Sequence, residues 1–204
     1  MSESIRTDDG RTMLDPIARD YSIETIDYMR LEQRQNKNAI RDAVPPSGLW
    51  QLAICSRFPI VARRELPLGR FPFDPAGLRC ALACTLDAGD RTIEVVGVHT
   101  SSRFYLGASA FHLRGLRRQI DGASPAPDVI AGDFNLWGPA AEPILPGWRR
   151  AVLGRTYPAH QPHSQIDHIL VRDGTEVVAS EVLGATPSDH RPVRVRLRFP
   201  QQLT

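Results

Sequence analysis

Cysteine is scarce in this sequence of 204 residues, which contains only Cys55, Cys80 and Cys84. An odd number of cysteines excludes a complete set of intramolecular disulfides, and their spacing to the histidines is not that of a zinc site. All three lie among strand-forming residues, so we expect small buried side chains. Free cysteines are typical of a reducing compartment, and we therefore expect a cytoplasmic protein.

Long hydrophobic runs are also absent, since no apolar segment approaches the roughly 20 residues that a membrane-spanning helix needs. Residues 1–10 are polar and acidic, which is not the pattern of a secretory signal. Hydrophobic residues make up 42% of the sequence and charged residues 24%, which are ordinary values for a globular protein. We expect a single domain over residues 1–204 with no membrane span.

Lysine is nearly absent, because Lys37 is the only lysine among 25 basic residues. Arginine suits bidentate contacts with phosphate groups, which would fit a nucleic-acid ligand. A biased genome base composition explains the same excess of arginine, and we favour that explanation. The net charge of +2 is too small to identify a nucleic-acid-binding protein by itself.

The N-terminal part of the chain carries the weakest pattern. Residues 1–20 have no clear hydrophobic period and contain Asp-Asp-Gly and Asp-Pro, which predicts an irregular arm. Residues 23–44 show a weak helical period that ends before Pro45. We therefore expect an irregular or weakly helical segment over residues 1–45 and a recognisable core over residues 48–199.

Strands outnumber helices in this predicted core. One helix is predicted over residues 106–120, where apolar side chains recur at helical spacing. Two strand-forming segments, 78–86 and 92–99, flank a turn and predict an antiparallel hairpin. Further strands are predicted over residues 49–55, 128–133, 166–171, 176–183 and 192–199. This order favours stacked sheets with helices on the outside.

Four separate segments place acidic, amide or imidazole groups at predicted strand ends, where layered α/β folds collect their sites. They are residues 98–100, 132–135, 165–168 and 188–193. Alternation along a strand would point Asp133 and Asn135 to one side and turn Phe134 into the core. Each segment alone fits an ordinary strand end or turn, but their joint order and spacing are specific.

These segments resemble motifs of the endonuclease/exonuclease/phosphatase superfamily. Residues 56–60 resemble its Ser-Arg-aromatic-Pro-Ile turn, and residues 132–135 resemble its Gly-Asp-Phe-Asn motif. Residues 166–168 and 188–193 are similar to its Ile-Asp-His and Ser-Asp-His-Arg-Pro-Val motifs, and Val98-His99 to its histidine strand. The resemblance covers residues 48–199.

The resemblance implies a four-layer α/β/β/α sandwich of two mainly antiparallel sheets. It also implies a phosphoesterase site that depends on Mg²⁺, with Mn²⁺ as an alternative. In that site Asp133 and Asn135 would handle the attacking water and the phosphoryl oxygens, and Asp167 would orient a histidine. Carried over by position, the catalytic residues are His99, Asp133, Asn135, Asp167 and His190, and the metal-side carboxylate is Asp189.

Phosphoester chemistry agrees with these residue types. Hydrolysis needs an aligned water, positive charge near the nonbridging oxygens and help for the departing oxygen. A metal with amide and imidazole donors supplies the charge, and a carboxylate aligns the water. Asp167 would favour the cationic form of a paired His190. We expect a phosphodiesterase or nuclease rather than a monoesterase, with nucleic acid among its candidate substrates.

The family pattern breaks at the N-terminus. The family begins with a strand bearing an asparagine and a second strand ending in Gln-Glu, whose glutamate binds the metal, and neither is evident here. Glu32 in Leu31-Glu32-Gln33 is the nearest candidate. Either the sequence starts too late or the protein has lost those strands. The competing hypothesis is therefore a catalytically weakened module that binds phosphorylated ligands or a protein partner.

Three further features have two readings each. Trp137 either stacks on a base or sugar or packs the loop, and we favour packing. The alternating arginines from Arg191 to Arg198 form either a track for a phosphate backbone or a solvated face, and we favour the solvated face. A zinc site among His160, His163 and His168 is not favoured, because no supporting ligand spacing exists.

Overall fold

The computed structural model of this protein describes residues 2–31, 48–74, 76–102 and 107–200. It contains eleven strands and one α-helix within these ranges, together with short 3-10 helices at Asp15–Ile17 and Gly138–Ala141. In chain order the elements are β1 (Ser2–Arg6), β2 (Ser22–Leu31), β3 (Gly48–Ser56), β4 (Ile60–Arg70), β5 (Leu78–Asp87), β6 (Thr92–His99), α1 (Ala108–Ile120), β7 (Val129–Asp133), β8 (Trp148–Arg150), β9 (Asp167–Arg172), β10 (Glu176–Val182) and β11 (Val193–Arg198).

A six-stranded sheet forms the centre of the molecule, with the strand order β4-β5-β6-β7-β9-β8. The predicted hairpin is confirmed, because β5 and β6 pair antiparallel. Strands β6 and β7 are parallel, and the chain between them passes through α1, as a parallel connection requires. The other pairs in this sheet are antiparallel.

Helix α1 covers one face of the six-stranded sheet. Its apolar side chains Leu113, Leu116 and Ile120 are buried in a cluster that also contains sheet residues such as Val98 and Ile130. Gly115 is needed at the closest approach, because a Cβ atom there would lie 2.0 Å from the carbonyl oxygen of Leu68. The predicted apolar face of the helix is therefore confirmed.

The opposite face of the six-stranded sheet is covered by two smaller sheets. One has the order β1-β3-β2 and the other pairs β10 with β11. Ile26, Leu52 and Ile54 of the three-stranded sheet pack against β5, whereas β10 and β11 pack over a cluster around Val129 and Val171. Side chains of the six-stranded sheet thus contact both small sheets, and the mixed α/β sandwich expected from the sequence is confirmed.

All three cysteines are free thiols, and Cys84 is buried while the other two are half-buried. Burial raises the pKa of the Cys84 thiol to about 12, which removes its nucleophilic character near neutral pH. No helix among the described residues is long and apolar enough to cross a membrane.

The N-terminal predictions were wrong for residues 2–6 and 22–31, whereas residues 7–21 are irregular as predicted apart from a short 3-10 helix. Residues 2–6 form β1, and the predicted weak helix is the strand β2. A β-bulge between Asp27 and Met29 explains the error, because Ile26 and Met29 oppose Leu52 and Trp50 of the neighbouring strand. The bulge places residues three apart on one face, which imitates a helical period. Glu32 lies outside the described residues.

Strand β4 was also missed by the sequence prediction. It contains Pro67 and four charged residues, a composition that argues against a central strand. In the structure it lies at the edge of the six-stranded sheet, and its register shifts between Pro67 and Gly69. An edge position tolerates proline because the missing N–H would face away from the paired neighbour.

Candidate functional site

Three neighbouring strands bring the candidate side chains to one edge of the six-stranded sheet. Strands β6 and β7 are parallel and end at the same edge, where His99 lies opposite Asp133. Strand β9 is antiparallel to β7 and begins there, so that Asp133 lies opposite Asp167. Adjacent strands are about 4.8 Å apart, so the register alone makes these three residues neighbours.

The glycine before Asp133 is required by the close packing of β7 on β6. Gly132 has φ +144°, and a Cβ atom at this position would lie 1.9 Å from the carbonyl oxygen of Val98. Only glycine fits this approach without moving the backbone. The Gly-Asp sequence therefore positions Asp133 directly beside the end of β6.

Asp133 and Asn135 form a hydrogen-bonded turn. The backbone N–H of Asn135 donates to Oδ1 of Asp133 at 2.7 Å, and its side-chain amide donates to Oδ2 at 3.1 Å. Asn135 has φ +46°, a left-handed conformation that asparagine tolerates better than most residues. The strand ends at Asp133, so the turn, and not strand alternation, brings the amide to the carboxylate. Phe134 is fully buried as predicted.

Asp167 and His190 form a close ion pair. The Nδ1 atom of His190 lies 2.9 and 3.0 Å from the two carboxylate oxygens of Asp167. Burial alone would lower the pKa of His190, but the hydrogen bond and charge of Asp167 outweigh it and raise that pKa to about 9. His190 is therefore cationic near neutral pH, and its other nitrogen, Nε2, is the one that can meet a substrate.

The loop that carries His190 is tied to the segment before β9. The backbone N–H of Arg191 donates to the carbonyl oxygen of Thr156 at 2.8 Å, and that of Ala159 donates to the carbonyl oxygen of Asp189 at 2.7 Å. The ring of Tyr157 lies 4.9 Å from the ring of His190 between centroids. These contacts hold the backbone on both sides of His190 and pack a ring against its imidazole.

Asp133 sits in an environment that resists its ionisation. Burial and the nearby charge of Asp167 raise its pKa, the charges of His99 and His190 oppose this, and the result is about 6. The Nε2 atom of His99 is 3.7 Å from Oδ2 of Asp133. A half-buried carboxylate with too little compensating positive charge attracts a cation or a proton donor.

Donor atoms of Asp133, Asp167 and His190 all lie within 4.8 Å of one another, and these side chains could hold a metal ion. Two carboxylates fit Mg²⁺, which commonly binds one or two carboxylates and keeps several waters. A cationic His190 is a poor ligand, so the carboxylates are the suitable donors. The donor set therefore fits a hard divalent cation.

Asp189 lies apart from this group. It is exposed, and its charge contributes to the raised pKa of His190. Its role as a metal ligand stays a prediction.

Two features found in the structure were not assigned from the sequence. The hydroxyl of Thr156 accepts hydrogen bonds from the backbone N–H groups of Ile166 and Asp167, and thereby supports the start of β9. The side-chain amide of Asn135 donates a hydrogen bond to the carbonyl oxygen of Thr100 at 3.4 Å. Position beside the histidine motif was the only sequence signal for Thr100, and none pointed to Thr156.

The arginines of β11 do not form a continuous basic track. Arg194 pairs with Glu181, and Arg198 pairs with Glu176, both on the neighbouring strand β10. These exposed cross-strand pairs neutralise much of the positive charge. The preferred reading of a solvated outer face is therefore favoured by the structure.

Trp137 does not pack into its loop, because 62% of its surface is exposed. The residues on either side are fixed to β9 and the segment before it. Leu136 accepts a hydrogen bond from Nε2 of the buried His168 at 2.9 Å, and the N–H of Gly138 donates to Gln165 at 3.1 Å. The prediction that Trp137 packs against its loop was wrong. Its exposed indole lies two residues after Asn135, on a segment whose backbone is held by hydrogen bonds on both sides.

Comparison with known proteins agrees with this geometry. A family model described as the Endonuclease/Exonuclease/phosphatase family matches residues 8–190, while no curated protein matches the sequence. The fold is similar to that of a mannosyl-6-phosphatase from Bacteroides thetaiotaomicron, with a TM-score of 0.68 and 17% identity over 91% of this chain and 81% of that chain. It is also similar to TDP2 from D. rerio complexed with a single-strand DNA product, with a TM-score of 0.64 and 13% identity over 91% of this chain and 80% of that one.

Proposed function

Since the chain belongs to the endonuclease/exonuclease/phosphatase family, we propose that it is a Mg²⁺-dependent hydrolase of phosphoester bonds that acts on phosphodiesters, including nucleic acid. The observation that carries the proposal is the cluster of Asp133, Asp167 and His190, whose donor atoms lie within 4.8 Å of one another. Asp133 has a pKa of about 6 and His190 one of about 9. Between these values one group is ionised and the other protonated, which suits acid–base chemistry near neutral pH.

His190 is suited to assist the departing oxygen. Asp167 holds its Nδ1 atom, so the protonated Nε2 would donate to a phosphate oxygen or to the leaving group. A fixed donor stabilises the charge that develops on these oxygens in the transition state.

Asp133 and Asn135 are suited to the attacking side. In either available role, as proton acceptor or as cation ligand, Asp133 has to be ionised. Asn135 fixes the carboxylate orientation through two hydrogen bonds, and its amide also donates to the carbonyl oxygen of Thr100. Asp133 and Asp167 would hold the divalent cation, which when bound supplies positive charge to the nonbridging phosphate oxygens.

The substrate class is tested by comparing two aryl phosphates. With Mg²⁺ we expect the purified protein to hydrolyse bis(p-nitrophenyl) phosphate faster than p-nitrophenyl phosphate, because a monoester brings a second negative charge next to Asp133 and Asp167. Release of p-nitrophenol measures both rates. Faster hydrolysis of the monoester would contradict the diesterase assignment and leave a phosphatase.

Trp137 supports a substrate with a planar ring. The exposed indole of Trp137 offers a surface on which a base could stack. Base–aromatic stacking contributes about 1–3 kcal/mol per base to the free energy of binding. We expect Trp137→Ala to raise the KM for a dinucleotide by roughly tenfold and to leave the KM for a methyl phosphodiester unchanged. Leu153→Ala, which also removes an exposed apolar side chain, is the control. Equal KM changes for both substrates would count against stacking.

A further inference from the structure

A buried ion pair lies beside the site, formed by Asp74 in the loop between β4 and β5 and Arg79 at the start of β5. Strand β5 starts at the sheet edge where β6 ends, because Leu82 lies opposite Gly97 in an antiparallel register. Asp74 and Arg79 are therefore at the same edge as His99. Their side chains are 0% and 7% exposed, respectively, so neither can contact a substrate.

The ion pair is held in a fixed geometry by several hydrogen bonds. Arg79 donates from Nε to Oδ2 of Asp74 at 2.7 Å and from Nη2 to Oδ1 at 3.2 Å. The hydroxyl of Ser101 also donates to Asp74, and the N–H of Ala76 donates to it at 3.0 Å. Burial would raise the pKa of Asp74, but the hydrogen bonds from Arg79 and Ser101 hold that pKa below its usual value.

The same ion pair contacts the chain segment that carries His99. Arg79 points Nη1 at the carbonyl oxygen of His99 at 3.5 Å, and Asp74 binds Ser101 two residues later. Residues 99–101 are thus held at both ends by one bidentate pair.

On its other side, this segment is hydrogen-bonded to the turn formed by residues 133–135. The N–H of Thr100 donates to the carbonyl oxygen of Asp133 at 3.1 Å, and its hydroxyl donates to the carbonyl oxygen of Phe134. The amide of Asn135 donates to the carbonyl oxygen of Thr100. Residues 99–101 therefore connect the buried ion pair to Asp133 and Asn135.

Stability alone does not account for a buried ion pair at this position. The desolvation of two charges offsets much of their attraction, and apolar side chains of similar volume often stabilise a protein as well or better. Here the two charged side chains fix the direction of three consecutive backbone residues, which apolar packing would leave less defined.

We propose that Asp74 and Arg79 are positioning residues that hold residues 99–101 so that the His99 imidazole faces Asp133. The inference rests on the proposed function only for its kinetic consequence, because the orientation of His99 is a structural property. A displacement of about 1 Å at a reacting group reduces rates by up to about 100-fold, so a rigid support beyond the reach of the substrate matters for turnover.

The test uses mild substitutions within the ion pair. Arg79→Lys keeps the charge but loses the bidentate geometry, and Ser101→Ala removes only one hydrogen bond to Asp74. We expect Arg79→Lys to lower kcat by about tenfold with KM unchanged, and Ser101→Ala to lower it less. Arg64→Lys is the matched control, because Arg64 pairs with the buried Glu94 towards the opposite end of β6.

A double-mutant cycle with His99→Ala separates positioning from general stability. If the ion pair acts through His99, Arg79→Lys causes no further loss of kcat in the His99→Ala background. An equal loss of kcat in both backgrounds would overturn the proposal, and so would a loss in Arg64→Lys as large as that in Arg79→Lys.

An NMR measurement tests the orientation of the His99 imidazole and does not depend on enzymatic activity. The imidazole signal of His99 is assigned by its disappearance in His99→Ala. We expect this signal to shift in Arg79→Lys and in Ser101→Ala but not in Arg64→Lys. An unchanged signal in both ion-pair variants would refute the positioning role, whereas a wild-type protein without hydrolytic activity would refute the proposed function and leave this result intact.

Discussion

Replacing Asp133 with asparagine is expected to abolish hydrolysis while making the protein more stable at neutral pH. The rate should fall by roughly 10³-fold or more, because asparagine can neither accept a proton nor balance a cation. The oxygen of the new side chain can still accept the hydrogen bond from the N–H of Asn135 that Asp133 accepts now. The hydrogen bond from the side-chain amide of Asn135 to Oδ2 is lost, because the new side chain places an NH₂ group there. Urea denaturation shows whether the loss of activity occurs in a folded protein.

The gain in stability follows from the raised pKa of Asp133. Its folded-state pKa of about 6 lies above the ordinary value near 3.9 for an unfolded chain. The folded state therefore binds this proton more tightly, and the contribution to stability is complete below about pH 4 and lost as the pH rises through about 6. Above that pH the wild type bears a buried charge that Asp133→Asn lacks.

Urea denaturation without metal measures the difference. We expect Asp133→Asn to raise the free energy of unfolding by about 1–2 kcal/mol at about pH 8 and to raise it less at about pH 5. Asp121→Asn, which changes an exposed carboxylate paired with Arg117, should alter stability little at either pH. A destabilised Asp133→Asn protein at pH 8 would show that the burial cost of this charge has been overestimated.

Removing His190 should have the second-largest effect. His190→Ala deletes the cationic donor, and general acid catalysis contributes about 10²–10⁴-fold to the rate. His160→Ala is the control, because His160 is exposed in the loop before β9 and should retain full activity. Nearly equal rates for His190→Ala and wild type would remove His190 from the mechanism.

The pH dependence of the rate provides a second test of the role of His190. Wild-type activity should fall at alkaline pH as His190 loses its proton, because the hydrogen bond and charge of Asp167 raise the pKa of His190. Bound Mg²⁺ would hold Asp133 ionised, so we expect no acid limb from Asp133 at about pH 6. Asp167→Asn removes the charge that raises the pKa of His190, so its alkaline limb should move to lower pH. An unmoved alkaline limb would indicate that another group titrates there.

The end of the sheet that carries the candidate site could be predicted because its residues occupy strand ends. Hydrophobic runs located β6, β7 and β9, and their polar ends supplied His99, Asp133 and Asp167. Their contact also requires β6, β7 and β9 to be neighbours, an order that the sequence did not predict, and the register then places the three side chains together. His190 was found by its motif, and its pairing with Asp167 was the expected one.

Other features depended on interactions that no local pattern reveals. The bulge in β2 imitated a helical period, and edge strand β4 was hidden by its proline and its charges. The turn at Asn135 depends on a left-handed conformation. The sequence analysis assigned no role to Asp74 or Arg79, because only the folded structure shows that both are buried against residues 99–101.

The Mg²⁺ dependence of phosphodiester hydrolysis by residues 1–204 tests the central claim most directly. We predict that turnover of bis(p-nitrophenyl) phosphate requires Mg²⁺, stops on chelation, returns when Mg²⁺ is restored and is absent from Asp133→Asn prepared in parallel. Hydrolysis that survives chelation, or equal hydrolysis by Asp133→Asn, would contradict the account. Binding of a phosphorylated ligand without turnover in Mg²⁺ or Mn²⁺ would instead identify a binding module.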